Sequence, residues 1–270
     1  MPTRSPVINV MTRAADKAAR GLTRDFGEVE QLQVSRKGPA DFVSVADRRA
    51  EHVLRAELSK ARPGFGFLME EGGATPGRDP QHRWVVDPLD GTSNFLHGLP
   101  HFAISIALER DGEVIAGVVL DPIKNELFWA EKGFGAFLND RRLRVSGRSR
   151  LDQALLATGA PFLGHGDRGA FLAQVDAVMS ATAGVRRYGA ASLDLAYVAA
   201  GRYEGFWEDH LSPWDIAAGI ILVREAGGYV TEIDGGPNMM SSGSTLATND
   251  KLHTTIGNLL RSASARACAS

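Results

Sequence analysis

The chain is nearly without cysteine. Of 270 residues only Cys268 is one, so neither an intrachain disulfide nor a thiolate metal site can form. That usage fits a reducing compartment, and a cytoplasmic location is the expectation. Long apolar runs are missing too: none approaches the ~20 residues needed to cross a bilayer. No membrane partner is expected. Nor is one sign of charge in excess, and a net charge of −2 offers no field to draw in a polyanion, so nucleic acid is not an expected partner. The first 24 residues are Arg-rich and poor in acids, superficially like a transit peptide. However, Val7, Val10, Met11, Ala14, Ala15, Ala18 and Leu22 recur at helical spacing, which predicts a docked helix instead. No internal repeat is visible. What is present is an ordinary globular balance, 44% hydrophobic and 23% charged, in a chain able to form one large domain or two halves.

The stretch Trp84-Val-Val-Asp-Pro-Leu-Asp-Gly-Thr-Ser-Asn-Phe-Leu-His97 organises the rest. Trp84, Val85 and Val86 read as a buried strand arriving at an edge. Asp87 and Asp90 bracket a Pro-Leu turn, and Gly91-Thr92-Ser93 reads as a helix start. Two carboxylates can hold hard cations through oxygen. The free N–H groups of a helix start favour an anion such as phosphate. The same residues also make a plain polar turn with Asp90 as an N-cap, and these few positions alone leave both readings open.

Elsewhere, Lys37-Gly-Pro-Ala-Asp-Phe-Val is an irregular turn, and a second helix opens at Ser44. Ser44 and Asp47 have capping-box spacing, a sufficient structural account of Asp47. Phe65-Gly-Phe-Leu-Met69 is a strand running into Glu70-Glu71, and residues 72–81 form a Gly/Pro-rich flap. Residues 102–108, 114–120 and 126–130 read as antiparallel strands, with Asp111-Gly112 a hairpin signal. A basic strip over residues 141–150 marks the crossing into a second half and reads as solvated surface. There strands at 154–158, 185–187, 204–208, 229–233 and 244–247 alternate with helices at 168–179, 190–200 and 212–226. A last helix starts near Asn249 and is expected to fray from Ser262. The expected division is residues 1–145, an N-terminal α+β half, and residues 146–270, a C-terminal α/β half. Ser212-Pro-Trp-Asp215 is a well-formed helix start, so capping alone could account for Asp215.

Three stretches together resemble the inositol monophosphatase family, with bacterial inositol-1-monophosphatases the nearest likeness. They are Glu70-Glu71, the motif from Trp84 to Phe95, and Trp214-Asp-Ile-Ala-Ala-Gly-Ile-Ile-Leu-Val-Arg-Glu-Ala-Gly-Gly. Lys37-Gly-x-x-Asp, Arg187-x-Gly-Ala-Ala and Leu193-Asp-Leu-Ala-Tyr-Val-Ala-Ala-Gly201 add to the match. The resemblance implies an α+β fold, a layered α-β-α-β-α sandwich, and a homodimer that hydrolyses a small phosphorylated polyol with Mg²⁺ and is sensitive to lithium. By position, Glu70, Asp87 and the Leu89 carbonyl would hold one metal, and Asp87, Asp90 and Asp215 a second. A third, weaker ion would sit on Glu70 and water. Asp47 and Thr92, with Glu70, would carry the catalytic work on water. Gly91 and Thr92 N–H groups would hold phosphate, while Asp90, Gly189, the Ala191 backbone and Glu208 would meet the substrate.

This chain departs from the pattern at Met69, where a small residue or Thr is common, at Tyr188 in place of Thr, and at Ala190 in place of Ser or Thr. The last two bear on substrate identity. Rival substrates are fructose 1,6-bisphosphate, 3′-phosphoadenosine 5′-phosphate and histidinol phosphate, although no second anion site is identifiable in the matching stretches. A regulatory binding role is a different class of reading, and its mark would be lost metal ligands. His97, His101 and His210 read as structural or surface residues.

Overall fold

The computed structural model describes residues 3–29, 34–36, 42–161 and 166–267, with residues 34–36 and 42–44 described by backbone alone. The Lys37 turn, the Ser44 side chain of the expected capping box and Cys268 lie outside the described residues.

Two helices open the chain, α1 (Pro6–Phe26) and α2 (Val45–Ala61), with the short strands β1 (Val34–Arg36) and β2 (Phe42–Ser44) between them. Ser5 caps α1 by accepting the Ile8 N–H at 3.2 Å, and Pro6 sits in the first turn, where its missing N–H costs nothing. The expected apolar stripe is buried from Val10 to Leu22.

An eight-stranded sheet follows: β3 (Gly66–Met69), β4 (Gly73–Thr75), β5 (His82–Asp90), β6 (Ala103–Arg110), β7 (Glu113–Asp121), β8 (Glu126–Glu131), β9 (Gly135–Leu138) and β10 (Arg141–Arg142). The short helix α3 (Thr92–Leu96) leaves β5. Strand order is β10-β9-β8-β7-β6-β5-β3-β4. From β5 to β8 the sheet is the expected antiparallel meander, which β9 and β10, not foreseen, extend. Asp111 and Gly112, with φ of 52° and 82°, form the β6–β7 turn, since two left-handed residues match the twist of a two-residue hairpin. The expectation fails in two places. β3 and β5 are parallel, with Met69 opposite Val86. Part of the expected flap is β4, a strand of three residues too short for periodicity that exists because the β3 edge offers it a partner.

The second half supplies β11 (Leu155–Thr158), α4 (Arg168–Ala181), β12 (Gly184–Arg186), α5 (Ala191–Ala199), β13 (Gly205–Glu208), α6 (Pro213–Glu225), β14 (Tyr229–Thr231), α7 (Met239–Ser242), β15 (Thr245–Thr248) and α8 (His253–Ala267). Its five-stranded sheet has the order β12-β11-β13-β15-β14. Two differences from expectation occur here. Helix α7 was not foreseen, and α8 does not fray at Ser262. It runs to Ala267 because Ala263 is buried and Ser264 takes a hydrogen bond from Gln174 at 2.9 Å.

The layers run α1/α2, large sheet, α5/α6, small sheet, α4/α8. Strand alternation builds them. Trp84 and Val86 face the core under α1 and α2, while Val85 faces the central core with Leu195, Ile220 and Ile221. A third core, with Leu156, Trp207 and Leu260, lies under α4 and α8. Close approach of α6 to the large sheet requires glycine at 117, where a Cβ would stand 2.7 Å from Ile221 Cγ2.

Candidate active site

Asp87 and Asp90 are three residues apart, so a regular strand would send their side chains to opposite faces. Strand β5 is not regular there. Asp87 pairs with Ser105 and Asp90 with Ala103, three steps against two, which is a β-bulge at Pro88-Leu89. Residues 103 and 105 share a face of β6, so both aspartates share one face of β5. Pro88 is tolerated because a bulge needs no ladder donor, and the Leu89 N–H turns back to Asp87 Oδ1 at 2.9 Å.

Glu70 joins them because parallel neighbours end at the same sheet edge. It follows β3, and its N–H donates to Val86 O at 3.3 Å. Helix α2 lays two acids one turn apart over this edge. Glu51 Oε2 accepts the N–H groups of Glu71 and Gly72 at 2.9 and 3.2 Å, pinning the turn that carries Glu70. Asp47 is fully buried, and carboxylate oxygens of Asp47, Glu70 and Glu71 lie within 4.8 Å of one another, close enough to hold a metal ion. Sequence reasoning saw Glu71 only as a neighbouring acid. Its membership depends on α2 crossing above it.

Asp215 comes from the first turn of α6. Its Oδ2 accepts the Ser212 N–H at 2.7 Å, so it does cap the helix, while its charge bears on Asp90, Glu70 and Glu208. The capping reading therefore holds, and the same carboxylate stands among the acids of this edge. Ser105 Oγ donates to Trp214 O at 3.2 Å, tying β6 to the start of α6 beside Asp215. Burial pushes the Asp87 carboxyl well above the usual range, and Glu70, Asp90, Asp215 and Asp47 push it further. Asp215 is driven up by burial and then by Asp90. Asp90 rises only to about 6, because donors from Ser192 oppose its burial. Acids this close, removed from water, repel one another unless cations join them. Every donor is oxygen, which fits a hard divalent cation.

Gly91 has φ of 88°, at the N-cap of α3, where a Cβ would meet His101 O at 3.0 Å. The Thr92 hydroxyl donates to the Leu89 carbonyl at 2.9 Å, which leaves its lone pairs for an O–H donor. Asn94 Nδ2 donates to the carbonyls of His101 and Tyr188, both at 2.8 Å, stapling α3 to the turn at Gly189. Ala191 lies at the edge of the site, with its N–H near enough to favour the charge of Asp90. Glu208 ends β13 and is pushed up to about 8 by burial and by Asp90, with Arg187 opposing. Its carboxylate fills the space of a side chain at Gly159, where a Cβ would fall 1.7 Å from Glu208 Oε1. A cavity of about 510 Å³ runs from Glu70 and Asp215 past Trp214 to Glu208 and Trp207.

Of His97, His101 and His210, the last lines the cavity beside Glu208. His97 caps the end of α3, His210 is exposed with φ of 64°, and His101 packs against Tyr188 and Tyr197, where burial lowers it to about 4.

The layered sandwich carries an all-oxygen acid cluster that could hold a metal ion. A model of the inositol monophosphatase family matches residues 3–265. The inositol-1-monophosphatase of Mesorhizobium japonicum is 61% identical over 92% of this chain and 93% of its own. That of Caulobacter vibrioides is 57% identical over 94% and 100%. The crystal structure of extragenic suppressor protein suhB from Bartonella henselae superposes with a TM-score of 0.93 at 56% identity, covering 95% of this chain and 99% of that one. The chain belongs to the inositol monophosphatase family and is a phosphatase acting on a small phosphorylated substrate. Among the described residues no helix is long and apolar enough to cross a membrane.

Proposed function

We propose that the chain hydrolyses inositol 1-phosphate to inositol and phosphate with Mg²⁺. The observation that carries the metal assignment is the β5 bulge, which turns Asp87 and Asp90 to one face among Glu70 and Asp215. In this reading Glu70, Asp87 and the Leu89 carbonyl hold one ion, and Asp87, Asp90 and Asp215 another. Bound divalent cations would supply a lowered water pKa and charge stabilisation at the phosphoryl and leaving oxygens.

The chain's own groups do the rest. Thr92, its proton spent on Leu89 O, offers a lone pair to the attacking water. Asp47, buried beside Glu70, takes the proton that this water loses. The N–H groups of Gly91 and Thr92 face the phosphate. Across the cavity, Glu208 accepts from a substrate hydroxyl, and Gly189, with φ of 81°, meets the substrate from the turn that precedes α5. The division at residues 145 and 146 belongs to this reading: residues 1–145 carry most ligands, and residues 146–270 carry Asp215 and the polyol wall. A homodimer and lithium sensitivity, which rest on the resemblance, and a cytoplasmic setting, which rests on the cysteine usage, are also part of it.

A panel of phosphate esters assayed with Mg²⁺ tests the proposal. Inositol 1-phosphate should lead in kcat/KM. Preference for fructose 1,6-bisphosphate, 3′-phosphoadenosine 5′-phosphate or histidinol phosphate would replace the substrate and leave the hydrolysis standing.

A further inference from the structure

Helix α5 begins without a cap of its own. Its N-cap is Ala190, which has no side-chain acceptor for the unpaired N–H groups of the first turn. The acceptor arrives from the other half of the molecule. Asp90 Oδ2 takes the Ser192 N–H at 2.8 Å and the Ser192 hydroxyl at 2.5 Å, and the N–H groups of Ala191 and Leu193 also favour its charge. Ser192 is wholly buried, so no water competes for either bond.

A carboxylate oxygen has two lone pairs in its plane, and these two donors from one residue account for both. Oδ1 is then the oxygen of Asp90 left for a cation. We propose that Ser192 is a positioning residue that holds Asp90 to ligation through Oδ1 alone and thereby tunes the site toward Mg²⁺ and against Ca²⁺. Mg²⁺ requires near-octahedral geometry with single-oxygen ligands, whereas Ca²⁺ takes more oxygens and accepts two from one carboxylate. The same saturation removes Oδ2 from the acceptors available to a substrate hydroxyl, which moves that task toward Glu208. The inference rests on the proposed reading of Asp90 as a metal ligand.

Calorimetric titration of the chelator-stripped, intact chain with MgCl₂ and with CaCl₂ tests it without reference to turnover. Ser192→Ala and Ser192→Cys both remove the strong donor, the second with nearly unchanged volume. Ser192→Thr keeps the hydroxyl. The Ca²⁺-to-Mg²⁺ affinity ratio should rise about fivefold in the Ala and Cys variants, because a freed lone pair admits two-oxygen ligation, and stay at the wild-type value in Thr. An unchanged ratio in a folded Ala or Cys variant overturns the proposal, even if melting temperature falls and both ions weaken together, since that is the mark of a merely structural residue. Asp90→Asn separates the two layers of the argument. Wild-type affinity for both ions in that variant would refute Asp90 as a ligand. Weakened binding there, with an unchanged ratio in Ser192→Ala and Ser192→Cys, would refute only the role of Ser192.

Discussion

At the β5 edge the acids are held by main-chain geometry, whereas across the cavity Glu208 is held by space. Asp87 and Asp90 come to one face through a bulge, and Asp87 is pushed up by four neighbouring carboxylates as well as by burial. Glu208 lies where a side chain at Gly159 would stand, and Arg187 partly offsets the effect of its burial. One side is therefore a repelling cluster that cations would complete. The other is a buried acid, raised to about 8 by its burial and then by Asp90, that can read a hydroxyl without any ion. Under the proposed function, chemistry and selectivity would sit on opposite walls and respond to different perturbations.

The strongest break of the contrast is on the clustered side. Asp90→Asn keeps shape but removes charge from the proposed second ion, and turnover at saturating Mg²⁺ should fall on the order of 10²-fold or more. Near-normal phosphate release in that variant would end the metal assignment. Glu208→Gln touches the other wall. It should raise KM for inositol 1-phosphate about tenfold while sparing glycerol 2-phosphate, too small to fill the contact. Equal changes on both substrates would show that Glu208 does not read the polyol.

Smaller effects sharpen the same division. Li⁺ fits an oxygen site of Mg²⁺ size but carries half the charge, so inhibition should be uncompetitive against a monophosphate. It should weaken about threefold in Asp215→Asn, since that variant loses a ligand of the ion's site; an unchanged inhibition constant would place lithium elsewhere. Gly159→Ala pushes Glu208 aside without removing it. The KM effect should then be about threefold, again confined to the larger substrate. Stability against pH gives the finest test. Glu208 ionises at an ordinary 4.5 when unfolded and at about 8 when folded, so folding binds a proton between these values and stability falls as pH rises. Glu208→Gln should therefore raise the melting temperature by about 2–4 °C at pH 8 and leave it unchanged at pH 4.5. A gain equal at both pH values would mean that Glu208 is not the group being relieved.

Much of this site was readable in one dimension because its signals are local. Ser212 to Asp215 carry their own helix start and Asp111-Gly112 their own turn, whereas Asp87-Pro-Leu-Asp90 reads as a turn and is a bulge inside β5, since the pairing with β6 continues past it. The parallel pairing of β3 with β5 was not readable, since it depends on which strand edge is left open after the meander forms. Strand β4 was missed for the same reason. The end of α8 was misread because Ser and Ala composition resembles fraying until Gln174 and the third core are seen to hold it.

The sequence by itself determined which residues could do the chemistry, because residue type and backbone turn preferences act over a few positions. Only the tertiary structure decided how those residues are constrained. Glu51 pins the turn after Glu70 from 20 residues away, and Ser192 occupies Asp90 from 102. No local preference encodes those contacts. They arise because burying three apolar layers forces α2 over one sheet edge and α5 against the end of β5, and polar groups trapped there must find partners across the fold.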